Sequence, residues 1–271
     1  MPARETSNET STLRFDQLER QTQTVTKRTK TLQKMALGAI FFVSACTCGE
    51  PRTDIPELHV PRAATPITID GDLSDWDESG RTETFVDTMS GAPSSVTPSA
   101  RLRWDDEAIY VAVSIDDPLL RAPGMNQDDH LWENDCLEMM IDPDGDGERY
   151  IELQISPRNV VFDTWFDTYR SPQPVGHVEW SSEMRTAVHL RGTIDDDVAD
   201  QGYDVELAIP WRAFGVAAMN GDAPAAGSTY RFQLYVLDAR GDGQRAVGWS
   251  APLVGDFHVP ARFGRLTFTA R

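Results

Sequence analysis

Glu138, Glu152, Gln154, Gln233 and Tyr235 stand at alternate positions inside three apolar segments, CLEMMI (136–141), YIELQIS (150–156) and RFQLYVL (231–237). In an extended chain alternate side chains share a face. These polar groups therefore collect opposite Leu137, Met139 and Ile141, opposite Ile151, Leu153 and Ile155, and opposite Phe232, Leu234 and Val236. Carboxylates, amides and a phenol on rigid strands suit paired hydroxyl groups. An aromatic platform beside them would complete a site for a neutral, hydroxyl-rich ring with apolar C–H faces. Trp132 is such an aromatic, in a polar run (DDHLWEND, 128–135) outside any strand pattern.

Other chemistries are weaker in the same residues. Asp142, Asp144, Asp146 and Glu148 place acidic oxygens at alternate positions with Gly147 among them, the opening of a calcium loop. The twelfth position, where a bidentate Glu belongs, is Leu153, so the segment is no EF-hand and reads equally as a polar hairpin turn. Calcium is thus a candidate, and no organic cofactor is expected. Glycoside hydrolysis needs two carboxyls across one bond. Asp135 and Glu138 are three residues apart in a strand pattern and point to opposite faces. A haem carrier would need axial Met, His or Lys, and Met139 falls on the core face. No Cys/His spacing fits zinc.

The elements that position these groups have a period of two. Besides the three segments above, 108–115 (AIYVAVSI) and 203–209 alternate. Turn signals separate the runs at Asp70-Gly71, Asp105-Asp106, 144–147 and 241–243. After position 66 no amphipathic helix of twelve residues appears; the best short helix is 210–215 (PWRAFG), with Pro at its first turn. Ten to twelve strands without a long helix imply an all-β fold, an antiparallel two-sheet sandwich. Trp76, Trp104 and Trp211 are expected in its core, and Cys136 as a small buried residue in a strand.

The chain has 271 residues and a net charge of −18. Residues 1–45 carry seven basic and four acidic residues; the remainder holds 18 Arg, no Lys and 39 acids, net −21. Nucleic acid binding draws on Lys and Arg neutralising phosphates, so a domain this acidic is a poor candidate for it, and no nucleic acid partner is expected. An anionic membrane surface is disfavoured for the same reason. A neutral ligand or a cation is the natural partner.

Several segments together resemble family 9 of the carbohydrate-binding modules and its family-9-like domains. They are 67–76 (ITIDGDLSDW), 102–113 (LRWDDEAIYVAV), Asp116-Asp117-Pro118, 131–138 (LWENDCLE) with Ile141-Asp142, 208–211 (AIPW) and the closing 262–266 (RFGRL). The resemblance covers residues 66–271 and implies a jelly-roll sandwich of the DOMON-like kind with a sugar site on one concave face. It implies a non-catalytic binder in which two aromatic rings clamp a terminal sugar. Trp132 matches the first clamp, Glu138 the acidic hydroxyl binder, and Phe257 the second clamp, where well-studied members have Trp. An amide position of the family falls near Tyr235, and its Arg has no clean match on YIELQIS. Calcium is common in the family.

Residues 27–34 (KRTKTLQK) are basic and 35–45 (MALGAIFFVSA) form an uncharged run too short to span a bilayer. Val43-Ser44-Ala45-Cys46 resembles a bacterial lipobox, in which the Cys is acylated. The expected organisation is a signal peptide (1–45), lipidated Cys46 with a Pro-rich tether (46–65), and a sugar-binding domain (66–271). The only membrane contact expected is the lipid, and the location is the cell envelope. Residues 1–24 precede the basic stretch without apolar pattern; translation from Val25 would give a signal of ordinary length.

Overall fold

The computed structural model describes residues 49–217, 221–241 and 243–270. The signal segment, Cys46 and Cys48 lie outside them. The expected tether runs into the domain well before residue 66. Glu57–Pro61 forms a strand (β1) that pairs in parallel with Gly264–Thr269 (β12), Val60 lying opposite Phe268. Its inward residues are only Leu58 and Val60, too short an alternation to read, with Pro56 just before it and Pro61 as its last residue. Proline is tolerated on such an edge strand. The unexposed Val60 nevertheless belongs to the core, so residues 57–61 are part of the sandwich.

Ten further strands lie between these two: β2 (Val86–Asp87), β3 (Ser99–Trp104), β4 (Ala108–Ile115), β5 (Cys136–Asp142), β6 (Tyr150–Ile155), β7 (Val161–Phe166), β8 (Arg185–Leu190), β9 (Tyr203–Pro210), β10 (Thr229–Arg240) and β11 (Gly243–Gly248). They form two sheets. One has eight strands with the path β1-β12-β10-β5-β6-β7, and β11 and β2 attach beside β10. The other has four, in the order β3-β4-β9-β8. The twelve-residue β10 is the spine. One edge pairs with β5, and the other is shared by β12 at Thr229–Phe232 and β11 at Tyr235–Arg240. The helical structure described is confined to short 3-10 turns; the longest, Trp211–Ala217, falls on the expected PWRAFG segment.

Alternation along the strands builds the core between the sheets. Leu137, Met139 and Ile141 of β5, Ile151, Leu153 and Ile155 of β6, and Phe232, Leu234 and Val236 of β10 face Val111 and Val113 of β4 and Val205 and Leu207 of β9. Trp104 and Trp211 join them, each 2% exposed. Burial of this much apolar surface is the main force favouring the fold.

Both sheets are also covered on their outer faces. Ala108, Tyr110, Ala112 and Ala208 of the smaller sheet pack against Trp76, Ile67, Ile69 and Leu73. The ITIDGDLSDW segment is pinned there by the buried Glu206. Its Oε1 accepts from Trp76 Nε1 at 2.8 Å, and its Oε2 from the backbone N–H of Asp70 (2.9 Å) and Gly71 (3.0 Å). The outer face of the larger sheet is the floor of the site.

Candidate functional site

On that floor the strands present Cys136, Glu138 and Met140 from β5, Tyr150, Glu152 and Gln154 from β6, and Tyr235 and Leu237 from β10. The apolar members draw three connecting segments over the sheet: 128–134 before β5, 167–182 after β7 and 250–263 after β11. The polar residues that alternate opposite the core are therefore buried as well. Glu138 is 2% exposed, Glu152 5%, and Gln154, Gln233 and Tyr235 0%. Gln233 is drawn off the floor: it donates to Ser250 O and accepts from Ser250 N at 3.0 Å.

A cavity of about 290 Å³ opens between the covering segments, at the lower end of the range for small-molecule sites. Trp132 and Phe257 both line it, with Glu138, Glu152, Arg170, Asp256 and His258 among the polar groups. Trp132 stands on a 3-10 turn, Leu131–Glu133. Its ring stacks on His130 at 4.3 Å and meets Phe162 edge-on at 5.2 Å. Gln244 Nε2 fixes the turn by donating to the carbonyls of Trp132 (2.8 Å) and Asn134 (3.1 Å). Phe257 lies flat on Tyr235, ring centroids 4.2 Å apart, and Tyr235 Oη donates to the Phe257 carbonyl at 3.3 Å. Both rings are thus held by their backing.

Beneath the rings Gln154 Nε2 bridges two carboxyl groups, donating to Glu138 Oε2 at 3.1 Å and Glu152 Oε1 at 2.6 Å. Glu138 Oε1 is buried without a partner. Burial, with the neighbouring Glu152, pushes Glu138 well above the carboxylate range, and burial pushes Glu152 up to about 7. His258 Nε2 is 3.6 Å from Glu152 Oε2, while its Nδ1 is 2.7 Å from Tyr150 Oη. Burial and the Arg170 charge hold His258 down at about 4, so it is neutral at pH 7. Asp256 would be raised by burial. Hydrogen bonds from Arg170, Tyr169 and the His258 N–H instead hold it at about 2. The cavity thus offers hydroxyl-matching donors and acceptors with little net charge: a carboxyl that keeps its proton both donates and accepts.

The structure therefore brings Trp132, Glu138, Phe257 and Glu152 to one cavity. Gln154 and Tyr235 stand directly behind its lining, the first orienting the two carboxyls and the second backing Phe257. Arg170, Asp256, Phe162 and Phe166 line it without having been found in the sequence. Arg170 lies beyond β7, in a segment with no alternation, and no spacing links it to Asp256. GDFHVP around Phe257 was the one signal available there. Asp135 and Glu138, the pair weighed for hydrolysis, belong to different clusters. Met139 is wholly in the core.

Two acidic groups bear on calcium. Oxygens of Asp142, Asp144 and Asp146 lie within 4.8 Å of one another. Asp142 already accepts from the backbone N–H of Gly145 (2.8 Å) and Gly147 (3.0 Å). Arg149 Nη2 reaches Asp146 at 3.1 Å and Asp144 at 3.4 Å, and Glu148 is not in the group. The second group, Asp117, Asp135 and Asp238, is wholly buried and equally close. Asp135 accepts from the N–H of Arg121 and Ala239, and Arg240 pairs with Asp238. Asp238 Oδ1 has no partner, nor has the buried hydroxyl of Tyr203, on which all three carboxylates act electrostatically. Asp117 also accepts from the Leu119 N–H at 2.9 Å and lies 3.8 Å from Arg240 Nη2, so both groups are partly satisfied from within; the second keeps two open oxygens, Asp238 Oδ1 and Tyr203 Oη, of the kind a divalent cation takes.

The chain belongs to a defined class. Residues 69–271 match the family model described as carbohydrate family 9 binding domain-like, so this is a family 9-like carbohydrate-binding protein. Among curated relatives, it is 29% identical over 205 residues to endo-1,4-beta-xylanase A of Thermotoga neapolitana and 28% over 212 residues to exoglucanase XynX of Acetivibrio thermocellus. The matches take in 74% and 76% of this chain but only 17% of either relative. Among solved structures, a family 9 module from Caldicellulosiruptor kristjanssonii in complex with cellotriose superposes with a TM-score of 0.55 at 20% identity, over 79% of this chain and 94% of that one. A Bacteroides uniformis protein superposes with a TM-score of 0.66 at 18% identity, over 79% of this chain and all of the other. These likenesses establish the sandwich fold.

Proposed function

We propose that this protein is an exported, non-catalytic carbohydrate-binding lipoprotein. Held at the cell envelope by a lipid on Cys46, it captures the end of an oligo- or polysaccharide and assists carbohydrate catabolism beside O-glycosyl hydrolases. The observation that carries the binding site is the unpartnered Glu138 Oε1 at the bottom of a nearly neutral cavity walled by Trp132 and Phe257. A buried polar group without a partner costs about 1–3 kcal/mol, and a sugar hydroxyl, able to accept from a protonated carboxyl or donate to an ionised one, would satisfy it while the ring's C–H face meets the aromatics. Glucose and cellotriose, the ligands in complexes of the Caldicellulosiruptor module, are the first probes. Calorimetric titration should show wild type binding and Trp132→Ala not binding, with an unchanged circular dichroism spectrum. Equal affinity would make Trp132 a packing residue. For the anchor, Cys46→Ala should move the protein from the membrane to the soluble fraction. Retention after a salt wash would point to a protein tether instead.

We also propose that calcium, when bound, is held by Asp117, Asp135 and Asp238 in preference to the Asp142 turn. The unpartnered Asp238 Oδ1 and Tyr203 hydroxyl support that choice.

A further inference from the structure

Tyr169 is 60% exposed, yet its hydroxyl is fixed. It donates to Asp256 Oδ2 at 2.5 Å, and the same carboxylate takes Arg170 Nη2 at 2.7 Å and the His258 N–H at 3.0 Å. Arg170 has a left-handed backbone (φ +47°), which a side-chain-bearing residue adopts at a cost. In that conformation its N–H reaches Tyr150 Oη at 3.2 Å and its guanidinium reaches Asp256. Two covering segments are thereby clasped together at the cavity's edge, and Tyr169 stands immediately outside the clasp. Val254 (47%) and Met89 (57%) are exposed at the same corner, the Met89 sulfur facing Gly255. An exposed tyrosine normally samples several rotamers and loses that freedom on binding. This one is already ordered by a charged acceptor, as a recognition surface requires, and the cavity behind it is too small for more than the end of a polymer.

We propose that Tyr169 is the outer platform of the site, stacking on the second sugar unit of a chain whose terminal unit lies between Trp132 and Phe257. The proposal rests on the carbohydrate reading of the cavity. It makes Asp256 and Arg170 positioning residues, and it predicts a preference for chains over single sugars that the two inner rings would not by themselves provide.

The test titrates the full-length protein with glucose and with cellotriose. Wild type should bind cellotriose about tenfold more tightly than glucose, the effect of one stacked ring. Tyr169→Ala should bring cellotriose to within about twofold of glucose. Tyr169→Phe, which keeps the ring, should retain part of the preference. A Tyr169→Ala protein that still prefers cellotriose tenfold overturns the proposal. Parallel loss of both ligands overturns it too, since Tyr169 would then act only through the inner site. Wild type that binds neither sugar would defeat the reading of the cavity and the proposal with it. Binding of both with no dependence on Tyr169 defeats the proposal alone.

Discussion

Glu138, Gln154 and Glu152 are polar residues on the face that a sandwich of this kind usually leaves to solvent, and here that face is roofed. The roof makes their position costly and their chemistry useful. Two carboxyls with raised proton affinity, aligned by one amide, can trade hydrogen bonds with hydroxyls without placing two full charges in a small cavity. The cost appears in the pH dependence of stability. Below about 4.5 the Glu152 carboxyl is protonated in folded and unfolded chains alike. From about 4.5 to about 7 the unfolded chain ionises while the folded one keeps its proton, so stability falls as pH rises, and above about 7 the penalty is constant. Glu152→Gln keeps an oxygen for Gln154 and cannot ionise. Its melting temperature should exceed that of wild type by a few degrees at pH 8, given about 2–4 °C per kcal/mol at this size, and the gain should vanish at pH 4. His258 contributes in the opposite sense and is common to both proteins. A gain independent of pH would mean that the carboxyl is not the source. At this scale the sequence was legible where side chains alternate. It did not yield Arg170 and Asp256, because their pairing depends on two irregular segments meeting across 86 residues.

The strands divide in the same way. β4, β5, β6, β9 and β10 were readable because they are central and carry uninterrupted alternation against a core. β1 was hidden among prolines, β7 (VFDTWF) has Asp163 and Thr164 within it, and β8 is partly exposed with a pattern no stronger than that of a loop. One consequence of sheet cover had no local signature: ITIDGDLSDW is recognisable as a motif, but its purpose emerges only from Glu206, 130 residues beyond Trp76. Glu206→Ala would strand three donors and loosen Trp76 from the outer sheet face. Unpaired buried groups cost about 1–3 kcal/mol each, so the melting temperature should fall by about 6 °C or more. A fall of no more than about 2 °C would show that the segment is held by its apolar contacts alone.

At the scale of the whole molecule the charge dominates. From residue 46 onward the net charge is −21 without a single Lys, and such a domain repels itself. Raising salt shrinks the screening length from about 10 Å at 0.1 M to about 3 Å at 1 M, so the melting temperature should rise with sodium chloride. Calcium at matched ionic strength should add a further rise through mass action on the folded state, and magnesium, which demands tighter octahedral geometry, should not. Asp238→Asn should remove the calcium-specific part and Asp144→Asn should leave it. The opposite pattern would move the ion to the Asp142 turn, and equal shifts with both metals would leave screening as the whole effect. The same acidity bears on anchoring: the proposed lipid on Cys46 would hold at an anionic surface a domain whose charge disfavours it.

Binding of a neutral sugar end in the cavity between Trp132 and Phe257 can be read out on a glycan array. Full-length wild type and Trp132→Ala, both shown folded by thermal melting, would be applied to glycans with neutral and with acidic termini. Wild type should retain a set of neutral-ended glycans and the variant none of them. Retention of the same set by both proteins, or of acidic termini in place of neutral ones, would contradict it.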